Sequence, residues 1–240
     1  MASIFILHRE RLLLPIQREQ MVRNRWKSMT EDEWLECHNS AAMLEFVRPK
    51  ATKRKLRLFA AASFRRLTHL LPDSRQQHAI EMLENVTDET EFPRGIGQGA
   101  RMALPPSADS YAGKCADDPY YVGLMLYREF MSSSTACHAT AALNGLADHI
   151  AEQMEQCRLL RCIFGPLPFR PIVFDDAWRT PAAVAQARAI YEEKAFDRLP
   201  ILGTTLREAG CHDTSILDHC RQPGPHVRGC WVVDMLLGRS

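Results

Sequence analysis

Apolar side chains recur at intervals of three and four residues along most of the chain, the spacing that places them on one face of an α-helix. The clearest run covers residues 51–71 and carries Leu56, Phe59, Ala60, Phe64, Leu67, Leu70 and Leu71. The same spacing predicts helices over 73–86, 118–130, 143–160, 180–191, 200–209 and 213–221, and a last helix that follows Pro225 and ends at Leu237. Only 172–174 is typical of a short extended piece. The pattern therefore predicts a mainly α protein, an irregular multi-helix bundle of antiparallel helix pairs.

Helix starts and stops are marked by polar caps and by proline and glycine. Thr30 and Glu33 have the spacing of a capping box, so a helix is predicted to begin just before Trp34. Ser40 is the predicted N-cap of a second short helix, which Pro49 ends. Further caps are predicted at Thr180 and Asp213 for helix starts and at Gly210 and Gly238 for helix ends.

Changes in this pattern divide the chain into four parts. Residues 1–28 are rich in arginine around Leu12, Leu13 and Leu14 and form a predicted disordered extension, with a basic membrane- or partner-binding arm as the alternative. Met29 is an alternative start to Met1. An N-terminal helical unit covers 29–90, a Gly/Pro-rich linker covers 91–116, and a C-terminal helical unit covers 117–240.

Composition narrows the class of protein further. The 240 residues are 46% hydrophobic with a net charge of +1, so the chain can bury a core and has no overall charge that favours nucleic acid or acidic lipid. No run of about 18 apolar residues exists, so no membrane span is predicted. The eight cysteines form no Cys-x-x-Cys pair, which is typical of reduced thiols, and we expect a cytoplasmic protein.

A cluster of basic residues lies at the start of the helix predicted over 51–71. We interpret it as a solvated helix face, because no aromatic platform or nucleic-acid motif accompanies it. The alternative is a contact with a phosphate backbone. The residues concerned are Lys50, Lys53, Arg54, Lys55 and Arg57.

Two runs look like a family signature: Met-Thr-Glu-x-x-Trp-Leu at 29–35 and Gly-Pro-His-Val-Arg-Gly-Cys-Trp-Val-Val-Asp at 224–234. With the shorter stretches 55–60, 169–171, 189–193 and 196–200, they resemble an uncharacterised family abundant in planctomycete bacteria. The resemblance covers about 29–88 and 158–238 and implies no known activity. Relatives often carry cysteines after the position of Phe59, where this chain has Ala61, Ser63 and Phe64. A family metal site at those positions would be absent here.

Residues 211–234 concentrate the side chains that carry chemistry: three cysteines, three histidines and Asp234. Metal binding would use Cys211, His219, His226 and Cys230. Because His219 and Cys220 are adjacent on a predicted helix, they point about 100° apart and cannot easily serve one ion. We therefore expect no stoichiometric zinc and no cofactor.

Two other site hypotheses use the same stretch. A Cys/His hydrolase would have Cys220 or Cys230 as nucleophile and His219 or His226 as base, oriented by Asp218 or Asp234. An anionic ligand would bind Arg221, His226 and Arg228 at the start of the last helix.

Core packing is the simplest explanation of the last helix, because residues 230–237 are apolar nearly all round. Asp234 is the exception and needs a cationic partner, for which Arg65, Arg66 and Arg221 are candidates. We interpret the chain as a non-enzymatic interaction or scaffold module for an unknown protein partner or anionic ligand. A Cys/His hydrolase or a metal-binding protein is the alternative.

Overall fold

The computed structural model describes residues 28–66, Glu81, Glu84 and 146–239, and this part contains eight α-helices and no strand. The helices are α1 (Glu31–Glu36), α2 (Ser40–Val47), α3 (Lys53–Arg66), α4 (Leu146–Phe164), α5 (Pro181–Glu193), α6 (Leu199–Glu208), α7 (Thr214–Arg221) and α8 (Trp231–Leu237). Short 3-10 helices cover Asp176–Trp178 and Phe196–Arg198. The mainly α prediction is confirmed. The helix predicted over 118–130, the linker, the helix predicted over 73–86 except Glu81 and Glu84, and the predicted extension over 1–28 except its last residue lie outside the described residues.

The predicted caps form where the sequence places them, with one exception. Thr30 Oγ1 accepts a hydrogen bond from the Glu33 N–H at 3.2 Å, and Glu33 Oε2 accepts one from the Thr30 N–H at 2.8 Å. Asn39, rather than Ser40, caps α2 by accepting from the Ala42 N–H. Ser40 instead donates to Gln156 of α4 at 3.1 Å, so its hydroxyl joins two helices that are distant in the sequence.

The last helix begins later than predicted. Residues 222–230 are irregular, and α8 starts only at Trp231. Gly229 has a φ of +92°, a left-handed conformation that only glycine adopts without strain and that cannot continue a right-handed helix. The loop therefore carries His226 into the fold on irregular backbone rather than on a helix face.

Two groups of buried side chains meet at α4. The first includes Trp34, Phe46 and Phe59 of α1 to α3 together with Leu160 of α4, and Phe169 stacks on Phe46 at 5.0 Å between ring centroids. The second gathers the apolar faces of α5 to α8. Cys162 of α4 belongs to this second group, although its neighbours on α4 pack in the first. Helix α4 therefore contributes to both groups of buried side chains.

A buried ion pair links the two groups. Arg54 of α3 donates from Nη1 to Asp234 Oδ2 at 2.6 Å and from Nη2 to Asp234 Oδ1 at 3.0 Å, and it also contacts the Tyr191 hydroxyl at 3.3 Å. Asp234 is 1% exposed, which confirms the prediction of an internal ion pair. The partner differs from the candidates that the sequence suggested, Arg65, Arg66 and Arg221.

The interpretation of the basic residues near the start of α3 as a solvated face is wrong. Arg54, Lys55 and Arg57 are buried, and only Lys50 and Lys53 of the five are exposed. Lys55 Nζ donates to the Ile163 carbonyl at 2.7 Å, across to α4. Since three of the five cations are buried, they are not arranged as a surface for a phosphate backbone.

Replacing Asp234 with alanine should reduce the free energy of unfolding by about 3–5 kcal/mol, because Arg54 would remain buried without its carboxylate. The double variant Arg54→Met, Asp234→Leu should recover a large part of that loss, since it removes both charges. Urea unfolding followed by circular dichroism measures the free energy of unfolding of both variants. An Asp234→Ala protein with unchanged stability would contradict the assignment of a strong buried pair.

Candidate metal centre

Four metal-ligating side chains converge between α4, α7 and the loop before α8. Cys162 lies in the last turns of α4, His219 on α7, His226 in the loop, and Cys230 at the N-cap of α8. One donor atom from each residue lies within 4.8 Å of the other three. Two thiol sulfurs and two imidazole nitrogens are a donor set that suits tetrahedral zinc.

The measured separations agree with a tetrahedral site. His219 Nε2 is 3.2 Å from Cys230 Sγ, and His226 Nδ1 is 3.6 Å from Cys162 Sγ. Zinc bonds of about 2.3 Å to sulfur and about 2.0–2.1 Å to nitrogen place tetrahedral N and S ligands about 3.5 Å apart. The four atoms therefore need only small adjustments to surround one ion.

Contacts behind the donors fix the orientation of the imidazoles. His226 Nε2 lies 3.1 Å from the Gln222 carbonyl, and a donor at Nε2 leaves Nδ1 as the lone-pair nitrogen that faces the cluster. Metal-binding histidines usually have such an outer hydrogen bond. The His219 ring packs edge to face with His226 at 4.8 Å and against Trp231 at 5.3 Å, so both rings are held by packing as well.

The local backbone explains how the loop reaches the site. Asp213 caps α7 by accepting from the Ile216 N–H, and this start places His219 and Cys220 in the last turn of the helix. After α7, Gly229 turns the chain with its φ of +92°, and Cys230 follows at once. A Cβ at position 229 would lie 3.1 Å from Leu58 Cδ1, so the loop also lies tightly against α3.

The electrostatics of the cluster favour one ionised sulfur. Burial alone would raise the pKa of Cys230, but hydrogen bonds from Cys162, His219 and His226 and the charge of His219 together hold that pKa well below its ordinary value. Burial raises the pKa of Cys162 well above its ordinary value. For His226, burial lowers the pKa, yet Cys230 and the Gln222 carbonyl raise it more, so the net shift is upward. The site thus already stabilises a thiolate, the form of cysteine that binds metal.

The metal ligands suggested by the sequence are only partly brought together. His219, His226 and Cys230 meet as that hypothesis required, while Cys211 lies outside the cluster, fully buried among apolar side chains. Cys220 is also outside, as expected from its divergence from His219. The fourth donor, Cys162, was not among the candidates. It lies near the end of an amphipathic helix, far from the other ligands in sequence, and nothing in its local sequence marks it as a ligand.

Neither of the two carboxylates that the hydrolase hypothesis named contacts a histidine of the cluster. Both oxygens of Asp234 accept from Arg54, so this carboxylate does not orient either histidine. Asp218 pairs with Arg221 at 3.8 Å on the exposed side of α7. Burial raises the pKa of the Cys220 thiol, and both Cys220 and Cys230 are fully buried.

The three residues suggested for anion binding make separate contacts. Arg228 Nε donates to the Tyr191 carbonyl at 3.1 Å near the end of α5, and Arg221 pairs with Asp218. His226 directs one nitrogen to Cys162 and the other to the Gln222 carbonyl. The start of α8 is therefore not arranged around an anion by these side chains.

Comparisons with known protein families, with curated proteins and with solved structures find no match for this chain. Among the helices that the structure describes, none combines the length and the apolar character needed to cross a membrane. The geometry of the Cys162, His219, His226 and Cys230 cluster is therefore the main guide to function.

Replacing Gly229 with alanine should destabilise the protein by about 1–2 kcal/mol, the cost of a left-handed conformation for a residue with a Cβ. The change should also weaken metal binding, because the loop would shift away from Leu58 and move His226 and Cys230. Gly210→Ala is the matched control: Gly210 also has a positive φ, but it lies outside the site and a Cβ there meets nothing within 4 Å. Equal metal affinity in the two variants would show that Gly229 does not position the ligands.

Proposed function

We propose that this protein is a helical module that binds one zinc ion through Cys162, His219, His226 and Cys230. The observation that carries the proposal is the convergence of four donor atoms of the right chemistry within 4.8 Å of one another. Isolated buried histidines and cysteines find ordinary partners in many cores. A set of two sulfurs and two nitrogens that lie this close to one another is far more specific.

The arrangement favours a structural role for the metal over a catalytic one. A catalytic zinc keeps one position open for water or substrate, whereas four protein ligands complete the tetrahedron. Cys162 and Cys230 are 3% and 0% exposed, so the ion would be shielded from solvent on the sulfur side. The chain then acts as a metal-stabilised scaffold or interaction module, and no step of catalysis is assigned to the site.

Zinc would connect parts of the chain that are far apart in sequence. Cys162 and His226 are separated by 64 residues, whereas His219 and Cys230 are separated by 11. Holding α4 to α7 and α8 closes a long loop, which costs entropy that the metal bonds offset. The expected result is a stronger connection between the two groups of buried side chains.

Protein purified without a chelator and without a polyhistidine tag should contain about one zinc per chain by elemental mass spectrometry. If zinc is present at about 1,000 times its Kd, it adds about 4 kcal/mol, or roughly 8–16 °C in Tm for a chain of this size. Removing it with EDTA should therefore lower Tm by that amount, and adding zinc should restore it. Cobalt should give the visible absorption of a tetrahedral thiolate site.

The variants Cys162→Ser and Cys230→Ser should lose stoichiometric zinc and the EDTA response, while Cys211→Ser should keep both, because Cys211 is buried outside the cluster. The Cys211→Ser control distinguishes the loss of a metal ligand from the loss of any other buried thiol. Metal-free protein with a Tm that responds to neither zinc nor EDTA would refute the proposal.

Acid should release the metal. Zinc needs the neutral form of His226, and the pKa of this side chain lies above its ordinary value of 6.5, so proton competition starts at a higher pH than for a free histidine. Zinc affinity should fall throughout this range as the pH drops, because binding also displaces the proton of the Cys162 thiol, whose pKa lies well above its ordinary value. The fall should become steeper by about tenfold per pH unit for each further proton taken up as the pH drops through the pKa of His226. A titration with a colorimetric zinc chelator between pH 8 and pH 5 measures the effect. The His226→Ala variant should bind more weakly and lose part of this pH dependence.

A further inference from the structure

A second feature of the fold, outside the metal centre, is a cleft of about 300 Å³ between α2, α3, the end of α4 and α8. Its walls are mainly apolar and are formed by Val47, Phe164, Leu167, Trp231 and Met235. A dry cavity of about 150 Å³ accepts benzene, so this cleft has room for an apolar body of roughly 8–12 non-hydrogen atoms.

The charged groups of the cleft are mostly positive. Lys50, Lys55 and Arg239 line it, and Asp234 is the acidic lining residue. Both oxygens of Asp234 accept from Arg54, so that carboxylate is already paired within the protein. The cleft therefore presents cations to any molecule that enters it.

The buried ammonium group of Lys55 determines which charge a ligand of the cleft should carry. The Lys55 side chain is 8% exposed, and among the described residues its ammonium group has one hydrogen bond, to the Ile163 carbonyl at 2.7 Å. An ammonium carries three donors, so two remain for a ligand. Burying an ammonium is costly unless an anion compensates it, and none of the described carboxylates contacts Lys55 directly.

The metal centre does not remove this need for an anion. Zinc with two thiolates and two neutral imidazoles has no net charge. In the zinc-bound protein, the sulfurs of Cys162 and Cys230 therefore no longer compensate the positive charge of Lys55. This step rests on the proposed zinc site. Arg54, Lys55 and Asp234 together then leave one positive charge in the interior between α3 and α8.

We propose that the cleft binds a small amphipathic monocarboxylate. Its carboxylate would accept from the free donors of Lys55, with Lys50 and Arg239 adding positive charge, and its apolar body would pack on Phe164, Trp231 and Met235. A neutral ligand would leave the charge of Lys55 uncompensated, and a cationic ligand would add to it. The negative head group is therefore the part of the ligand that decides affinity.

The test is calorimetry on the zinc-loaded full-length chain, with zinc content measured on the same sample. Octanoate should bind saturably with one site per chain, and octanol and octylamine, which have the same chain length, should bind at least tenfold more weakly. 3-Phenylpropanoate serves as a second carboxylate and shows whether the cleft prefers an alkyl or an aromatic body. Equal binding of octanol and octanoate, or no saturable binding of either carboxylate, would overturn the proposal even if zinc is fully bound.

Two variants test whether the carboxylate binds in the cleft. Lys55→Met keeps an apolar chain of similar length and should weaken octanoate binding at least tenfold, while Lys53→Met, an exposed lysine on the same helix, should leave it unchanged. Met235→Trp keeps Lys55 but fills the cleft and should also abolish binding. Circular dichroism and zinc content check that each variant is folded. Unchanged affinity in folded Met235→Trp would exclude the cleft, and so decides the matter even if Lys55→Met fails to fold.

Discussion

The pairing of Arg54 with Asp234 determines how the two halves of the core meet. Arg54 extends from α3 and Asp234 from α8, so two fully desolvated charges are satisfied only when these helices are in contact. The cost of burying each charge alone would be several kcal/mol, which penalises any arrangement that separates them. The pair therefore specifies the docking of α3 against α8, whatever its net contribution to stability. Both proposed sites use neighbours of these two residues: Lys55 lines the cleft, and Cys230, four residues before Asp234, belongs to the proposed metal centre.

Helix α4 is the second constraint, because it is shared by both groups of buried side chains. Most of its apolar residues pack against α1 to α3, while Cys162 faces α7 and α8. The end of α4 is also held firmly: Gly165 has a φ of +53°, and a Cβ there would lie within 2.7 Å of the Trp231 ring. A helix that is fixed in this way can present a single thiol to a distant loop with little freedom to move. Such rigidity is what a metal site needs from its supporting elements.

Local features of the fold could be predicted from the sequence, and features that depend on distant contacts could not. The caps at Thr30, Thr180 and Asp213 involve residues three positions apart, so their chemistry is visible in a short stretch of chain. The late start of α8 was missed because a glycine at 229 signals a turn only if its left-handed conformation is known. The partner of Asp234 was missed for another reason: any buried arginine could serve, and only the packing selects Arg54.

The candidate site shows the same division. His219, His226 and Cys230 lie close together in the sequence, and their residue types indicated a site. The sequence argument against zinc, that the donors diverge, was correct for Cys220 and for Cys211, which both lie outside the cluster. It left out Cys162, since a lone cysteine on an amphipathic helix carries no signal of its own, and 64 residues separate it from His226. A fourth ligand of this kind becomes visible only when the helices are packed.

The distribution of the ligands suggests an order in which the site would assemble. His219 and Cys230 are 11 residues apart, so α7, the loop and the start of α8 form a three-ligand half-site that requires only a short loop closure. Cys162 must then arrive with α4, and α4 arrives with the first group of buried side chains attached to it. Zinc bound to the half-site would therefore favour docking of α4, and docking of α4 would strengthen zinc binding by the same free energy, since the two equilibria are linked. In this arrangement the metal does more than stabilise one helix pair, because its fourth bond joins the two groups of buried side chains to each other.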